Sequence, residues 1–429
     1  MEVRQILHLL ECHERRRWSS LNLVASENVL SPAARHAVGH DMGQRYCIPP
    51  VGRRPESIWD YPNQNGVREV QRLAEELACE VFGAQSADVR PLSGNNAATI
   101  MLSALAGAGD TIATVPAGCG GHFATEAICA RAGVRRVDLP YDAAVGRVDV
   151  EAAVRLCSRA RVRLVFLDAS MQVFPHPVRE LRAALPPGTV LVYDASHTMG
   201  IIAGGRFQAP LAEGADILQG STHKSLFGPQ KALFAFGEDT EAGRSVYDAV
   251  CPLFVSNPHP HHTAALAVAL AEARDFGSEY ADAVVANARV LASSLHTAGA
   301  HIPFADAGFT DCHQFVWVIG EHGEAERAWR RLESAGLHTN LVRAPFLPSR
   351  YGVRIGVAEL TRRGMTTREM TRIADLMHGA VTATAGGSLI ARDVADLSRA
   401  HPCVHFGYDR DGNPTSPASP SPVPATPTT

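Results

Sequence analysis

Between residues 87 and 236, short apolar runs alternate with helical segments, and most of the runs end in a polar turn. The runs are Ala87 to Pro91, Thr111 to Val115, Arg163 to Leu167, Val190 to Tyr193, Ile217 to Leu218 and Ala232 to Phe236. Apolar runs of this length set between helices predict βαβ units. They imply an α/β fold with a mostly parallel sheet covered on both faces.

Residues just beyond such strands are where the sheet would bind a ligand. Ser93-Gly94-Asn95 follows the first run and opens a helix through Leu105, whose first N–H groups suit a phosphate. A glycine turn, Gly118 to Gly121, precedes His122, which begins a helix to Ala132 and can stack on a flat ring. Ser170 follows Leu167. Asp194 ends the run at Tyr193, and His197 stands three residues on. A strand-end carboxylate suits a protonated ring nitrogen. Ser221-Thr222-His223-Lys224 then places a lysine among hydroxyl groups and ahead of Gly228-Pro229. A lone lysine is ordinarily solvated, with a pKa of about 10.4. Burial and cationic neighbours lower that value and permit Schiff-base chemistry. The order of phosphate turn, ring-stacking histidine, aspartate and lysine suits a pyridoxal phosphate enzyme.

At 429 residues the chain exceeds one simple core. Residues 1–20 form a helical arm, with Val3, Ile6, Leu7, Leu9 and Leu10 at helical spacing, packing on a domain or a partner subunit. Residues 21–280 form the large domain, and within it the aperiodic stretch from Gly43 to Gly66 has the length of a functional loop. Two helices, His262 to Phe276 and Ala281 to Ala298, lead out of it. Residues 281–408 form a smaller α/β domain, and residues 409–429, almost all Pro, Ser, Thr, Ala and Gly, form a disordered tail.

Composition narrows the partners. Net charge is −4 without a basic run, which argues against nucleic acid. No apolar run reaches membrane-spanning length, and the first 18 residues are too polar for a signal peptide. Nine scattered cysteines without a C-x-x-C pair read as reduced thiols of a cytoplasmic protein, with no metal site.

Several motifs together resemble serine hydroxymethyltransferase. They are Leu23-Val-Ala-Ser-Glu-Asn28, Arg45-Tyr46, Phe82-Gly-Ala84, Ser93-Gly94, Gly107 to Thr111, Gly120-Gly-His122, Asp194-Ala-Ser-His197, Thr222-His-Lys224, Gly228-Pro229 and Thr361-Arg-Arg-Gly364. They run colinearly from about residue 20 to 370. The resemblance implies fold type I: a large, mostly parallel, seven-stranded sheet domain and a smaller C-terminal α/β domain. It also implies a homodimer, or a tetramer of such dimers, with shared active sites. Lys224 would form the Schiff base with pyridoxal phosphate. Ser93, Gly94 and Asn95 would hold the phosphate, with Ser256 and Asn257 reaching it from the neighbouring subunit, and Ser221 would be a further cofactor-binding residue. His122 would stack on the ring, Asp194 pair with its nitrogen, His197 and Ser170 meet its hydroxyl, and His223 flank the lysine. Ser26 and Arg363 would bind the substrate carboxylate, with Tyr46 of the neighbouring subunit near the phosphate and substrate and with Tyr61 and His197 near the substrate. Lys224, His122, Tyr61 and Tyr46 would be the catalytic residues.

Departures from the family pattern fall on the folate side. Ile48 stands where the family has a glutamate near the hydroxymethyl group. Ser256-Asn257 replaces Gly-Gly, Gly356-Val357-Ala358-Glu359 replaces Gly-Thr-Pro-Ala, and Asp60-Tyr61-Pro62-Asn63 replaces Tyr-Tyr-Gly-Gly. The cofactor core is kept while the folate side has changed, and that change argues against tetrahydrofolate as a second cofactor. The pattern resembles the folate-independent L-threonine transaldolases. These release acetaldehyde from L-threonine and add the glycyl unit to another aldehyde, giving a β-hydroxy amino acid. One acceptor in that branch is uridine-5′-aldehyde, on the route to nucleoside antibiotics. The base at the β-hydroxyl would be His122, Tyr61 or water. The alternatives are a tetrahydrofolate-dependent serine or α-methylserine hydroxymethyltransferase and a simple threonine aldolase.

Overall fold

A computed structural model describes residues 2–47, 61–345, 347, 349–383 and 386–415. Ile48 and the Pro55 to Trp59 insertion lie outside the described residues. Two compact units emerge: residues 30–282 with 407–414, and residues 1–29 with 283–406. The segment 21–29, expected in the large domain, therefore belongs to the smaller unit. The reason is a strand pairing: Leu21–Asn22 lies parallel to Leu337–His338.

The larger unit is built on a seven-stranded sheet. Its central strands are Thr111–Thr114, Val162–Leu167, Val190–Asp194 and Ile217–Ser221, paired in parallel. Arg135–Asp138 adds one edge in parallel. Its Arg-Arg-Val-Asp sequence carries no apolar signal, because an edge strand here keeps exposed charges. At the other side Ala232–Phe236 runs antiparallel to Ile217–Ser221, and Ser86–Asp88 antiparallel to that. Two reversals restore the direction, so Ser86–Asp88 points the same way as the central strands. Ile217–Ser221 and Ala232–Phe236 are buried at every residue. This is the apolar-through pattern of a sheet covered on both faces.

One helix, Pro260–Thr297, replaces the two expected around Phe276 and Ala281. Gly277 does not break it. The absent Cβ lets Gly204 come close: a Cβ on Gly204 would lie 2.2 Å from the Gly277 carbonyl oxygen. A glycine inside a helix here marks close packing rather than a stop.

The smaller unit holds a three-stranded antiparallel sheet of Gln314–Gly320, Tyr351–Gly356 and Asn340–Arg343. Helices His322–Ser334, Thr367–Thr382 and Gly387–Arg399 accompany it. The first residues expected in the disordered tail instead form a turn. Gly407–Tyr408 pairs with Pro414–Thr415, and the Asp409 carboxylate accepts from the N–H groups of Asp411 and Asn413. Local Asx-turn chemistry outweighs the composition there. Residues 416–429 lie outside the described residues.

Candidate active site

The carboxyl ends of five strands converge on a cavity of about 210 Å³. Lys224 lines it, and the loop that carries it is tied down at both ends. The Thr222 N–H donates to the Lys231 carbonyl (3.0 Å), and the Thr222 hydroxyl donates to the Pro229 carbonyl (2.7 Å). Ser221 and His223 flank it along the chain, and both line the cavity. Burial, with Lys224 adding repulsion, pushes the His223 imidazole down to about 4.

Ser93 caps the helix Gly94–Leu105, its hydroxyl accepting from the Asn96 N–H at 3.2 Å. Ser93, Gly94 and Asn95 all line the cavity. First-turn amides have no partner within the helix, and together with the helix dipole they favour an anion. Asp194 faces the same space. Its carboxylate accepts from the Ser196 N–H (2.8 Å) and the Gln219 amide (3.2 Å), which hold it in one orientation.

His122 enters from a buckled turn ahead of its helix, which begins at Thr125 rather than at His122. The turn is pinned to the end of strand Val162–Leu167: the Ser170 and Met171 N–H groups donate to the Gly120 carbonyl at 2.7 and 3.2 Å. Gly121 passes so close to the preceding chain that a Cβ would lie 2.1 Å from the Val115 carbonyl oxygen. Burial lowers the His122 pKa, with Lys224 pushing the same way and Asp194 opposing. Ser170 and His197 complete the expected residues around the cavity.

Asp168 also lines the cavity and was not among the expected site residues. Asp168 is 2% exposed and bonds both ends of the His122 turn: it accepts from the Val115 N–H (3.1 Å) and the Thr125 hydroxyl (2.5 Å). Burial, with nearby Asp194, raises its pKa to about 7 against the pull of those bonds. Its signal was available, since it follows an apolar run as Asp194 does.

The remaining expected residues stand outside this chain's own cavity; Tyr46, Ser256 and Asn257 would enter the neighbouring subunit's. Tyr46 and Tyr61 do not line the cavity; they stack on each other with centroids 5.1 Å apart. Ser256 and Asn257 are also absent from its lining. Asn257 instead accepts from the Cys47 N–H (3.4 Å) and donates to the Arg45 carbonyl (3.1 Å), bracketing Tyr46. In the smaller unit, half-buried Ser26 follows a segment anchored by Glu359, which accepts from Asn22 (2.7 Å) and Arg17 (2.6 Å). Glu359 is thus spent on positioning chain. Arg363 does not present a free fork for a carboxylate as expected. Each guanidinium nitrogen donates within the unit: Nη2 to Ser398, Nη1 to the Ser20 carbonyl and Nε to the His401 carbonyl.

The cavity fits pyridoxal phosphate. The Ser221 hydroxyl and His223 Nδ1 are buried without a hydrogen-bond partner among the described residues. A phosphate and a ring oxygen are the kinds of acceptor and donor that would satisfy them. Known proteins agree with this reading. The serine hydroxymethyltransferase family model matches residues 1–377. The serine hydroxymethyltransferase of Methanopyrus kandleri is 38% identical over 95% of both chains. That of Archaeoglobus fulgidus is 35% identical over 95% of this chain and 94% of its own. A solved L-threonine transaldolase from Pseudomonas fluorescens superposes with a TM-score of 0.92 at 29% identity, over 96% of this chain and 94% of its own. Matched along nearly its whole length, the chain belongs to the serine hydroxymethyltransferase family, the pyridoxal phosphate-dependent transferases of fold type I that act on amino acids.

Proposed function

We propose that the chain is an L-threonine transaldolase. The likeness to the solved transaldolase supports this reading, and Ile48 in place of the family's glutamate is consistent with it. Lys224 would hold pyridoxal phosphate, with Ser93, Gly94, Asn95 and Ser221 around its phosphate and Asp194 against its ring nitrogen. When bound, the cofactor supplies an electron sink for the pair left on the amino-acid α-carbon. The remaining work belongs to side chains. His122 is neutral at pH 7 because burial disfavours its charged form, so a ring nitrogen can take the β-hydroxyl proton as the Cα–Cβ bond of threonine opens. The same nitrogen returns a proton to the new alkoxide after the glycyl carbon attacks a second aldehyde. Uridine-5′-aldehyde is one such acceptor, which would place the product in antibiotic biosynthesis.

The test is acetaldehyde release from L-threonine by the holoenzyme, with and without acceptor aldehydes. Acceptor-dependent release, with a new β-hydroxy amino acid, supports the proposal. Serine–glycine interconversion that requires tetrahydrofolate overturns it. That second reading, a folate-dependent hydroxymethyltransferase, is favoured by the names of the archaeal relatives. Release of acetaldehyde that no acceptor alters indicates a simple aldolase.

Assembly as a homodimer belongs to the same proposal. The helix Glu2–Trp18 buries none of its residues, and Val3, Ile6, Leu7, Leu9 and Leu10 are each more than half exposed. An apolar stripe of this kind suits a second copy. Sedimentation that gives a monomer at micromolar concentration would remove this part. No described helix is long and apolar enough to cross a membrane.

A further inference from the structure

The chain holds forty lysines and arginines, and Lys224 and Lys231 are the only lysines among them. Both fall within the loop that precedes the strand Ala232–Phe236. Lys231 is fully buried and does not line the cavity. Burying an ammonium is costly unless its donors are satisfied. Its Nζ donates to the Pro258 carbonyl at 2.8 Å and to the Arg90 carbonyl at 3.4 Å. Arg90 is itself held by a buried ion pair with Asp88 (2.5 Å). Burial pushes the Lys231 amine down to about 7, with Asp88 pulling it up and Arg90 pushing it down. A planar guanidinium would need several acceptors in one plane. The compact ammonium can direct its donors separately to the two carbonyls here, which favours lysine over arginine at this position.

Lys231 works in two directions. Its main-chain carbonyl accepts from Thr222 and closes the loop that presents Lys224. Its side chain fixes Pro258, the residue after Asn257. Asn257 bonds the chain on both sides of Tyr46, and Tyr46 stacks on Tyr61. We infer that Lys231 is a positioning residue that couples the Lys224 loop to the segment presenting Tyr46, through Pro258 and Asn257. It touches no substrate; it ties the chain's own lysine loop to the tyrosine pair that the chain would offer to the neighbouring subunit's site. The kinetic consequence rests on Tyr46 and Asn257 being site residues, while the mechanical one does not.

The experiment separates the two. Lys231→Met removes the donors at nearly constant length, and Lys231→Gln keeps some of them. Amide hydrogen exchange of the apoprotein is read for peptides covering residues 41–47, 250–262 and 190–194. In Lys231→Met the first two exchange about tenfold faster while 190–194 is unchanged, and Lys231→Gln restores part of the protection. In the holoenzyme, KM for the amino acid rises about fivefold with kcat nearly constant. Combination with Asn257→Ala adds nothing further, because both act on one path. Unchanged exchange at 41–47, exchange that also accelerates at 190–194, or additive effects with Asn257→Ala would each overturn the coupling. The exchange result stands whatever reaction the enzyme catalyses, so failure of the transaldolase reading is distinguishable from failure of this one.

Discussion

The Thr125 hydroxyl donates to the buried Asp168 carboxylate at 2.5 Å, across 43 residues of sequence, while the other carboxylate oxygen holds the Val115 N–H. The segment between Val115 and Thr125 carries His122. Asp168 therefore acts as a brace for the histidine that faces the cofactor site.

Removing that brace leaves two buried donors unsatisfied. Asp168→Ala is expected to lower stability by about 2–3 kcal/mol, and Asp168→Asn by less, because the amide oxygen still accepts from Val115. Urea unfolding of the apoprotein checks the ranking. A smaller effect of Asp168→Ala than of Asp168→Asn would contradict the brace.

The same group gives a pH signature. Its folded pKa of about 7 lies above the usual carboxylate value of about 3.9, so the folded chain binds the proton more tightly. The associated stability is complete in acid and is lost as pH rises through 7. Asp168→Asn cannot titrate, so its stability relative to the parent should improve between pH 4 and 8. A difference independent of pH would show that the carboxyl is ionised throughout.

His176 provides the opposite sign. It is fully buried, with Nε2 lacking a hydrogen-bond partner among the described residues, and burial pushes its pKa down to about 3. The unfolded ring takes a proton near pH 6.5, and the folded ring refuses it. Stability should therefore fall as pH drops from about 6.5 toward 3. His176→Gln should narrow the gap between unfolding midpoints at pH 7 and pH 5.

Arg363 is predicted to behave as a structural residue. Besides its bonds to Ser20, Ser398 and His401, its guanidinium lies 4.9 Å from the Trp18 ring centroid. Arg363→Ala should cost about 2–4 kcal/mol in the apoprotein. Calorimetry without substrate is the check. An unchanged melting temperature would return Arg363 to a carboxylate-binding role alone.

Replacing Lys224 by alanine should abolish the visible absorbance of the cofactor Schiff base and lower kcat by about three orders of magnitude or more. An unaltered spectrum would remove Lys224 as the attachment point.

Local pattern revealed most of the large sheet. Apolar runs ending in Tyr193, Leu167 and Leu218 are legible because strand burial and the polar turn beyond it lie within a few residues. The edge strand Arg135–Asp138 was not legible, since it borrows its order from one neighbour and exposes its charges. Gly277 reads as a helix stop until Gly204 is seen against it. Asp168 obeys the same strand-end rule as Asp194, but only the folded chain shows that it braces the His122 turn.

By itself the sequence determined the sheet, the lysine and the polar groups at the strand ends, because each is a short-range property of the chain. Tertiary structure decided which of those polar groups remain for chemistry. Asn22 and Glu359, Ser20 and Arg363, or Lys231 and Pro258 meet only after folding. Hydrogen-bond capacity is saturable, and the Arg363 guanidinium already donates to three residues of its own unit. Residue type proposes a role, and the partners that burial supplies determine whether the side chain is available to perform it.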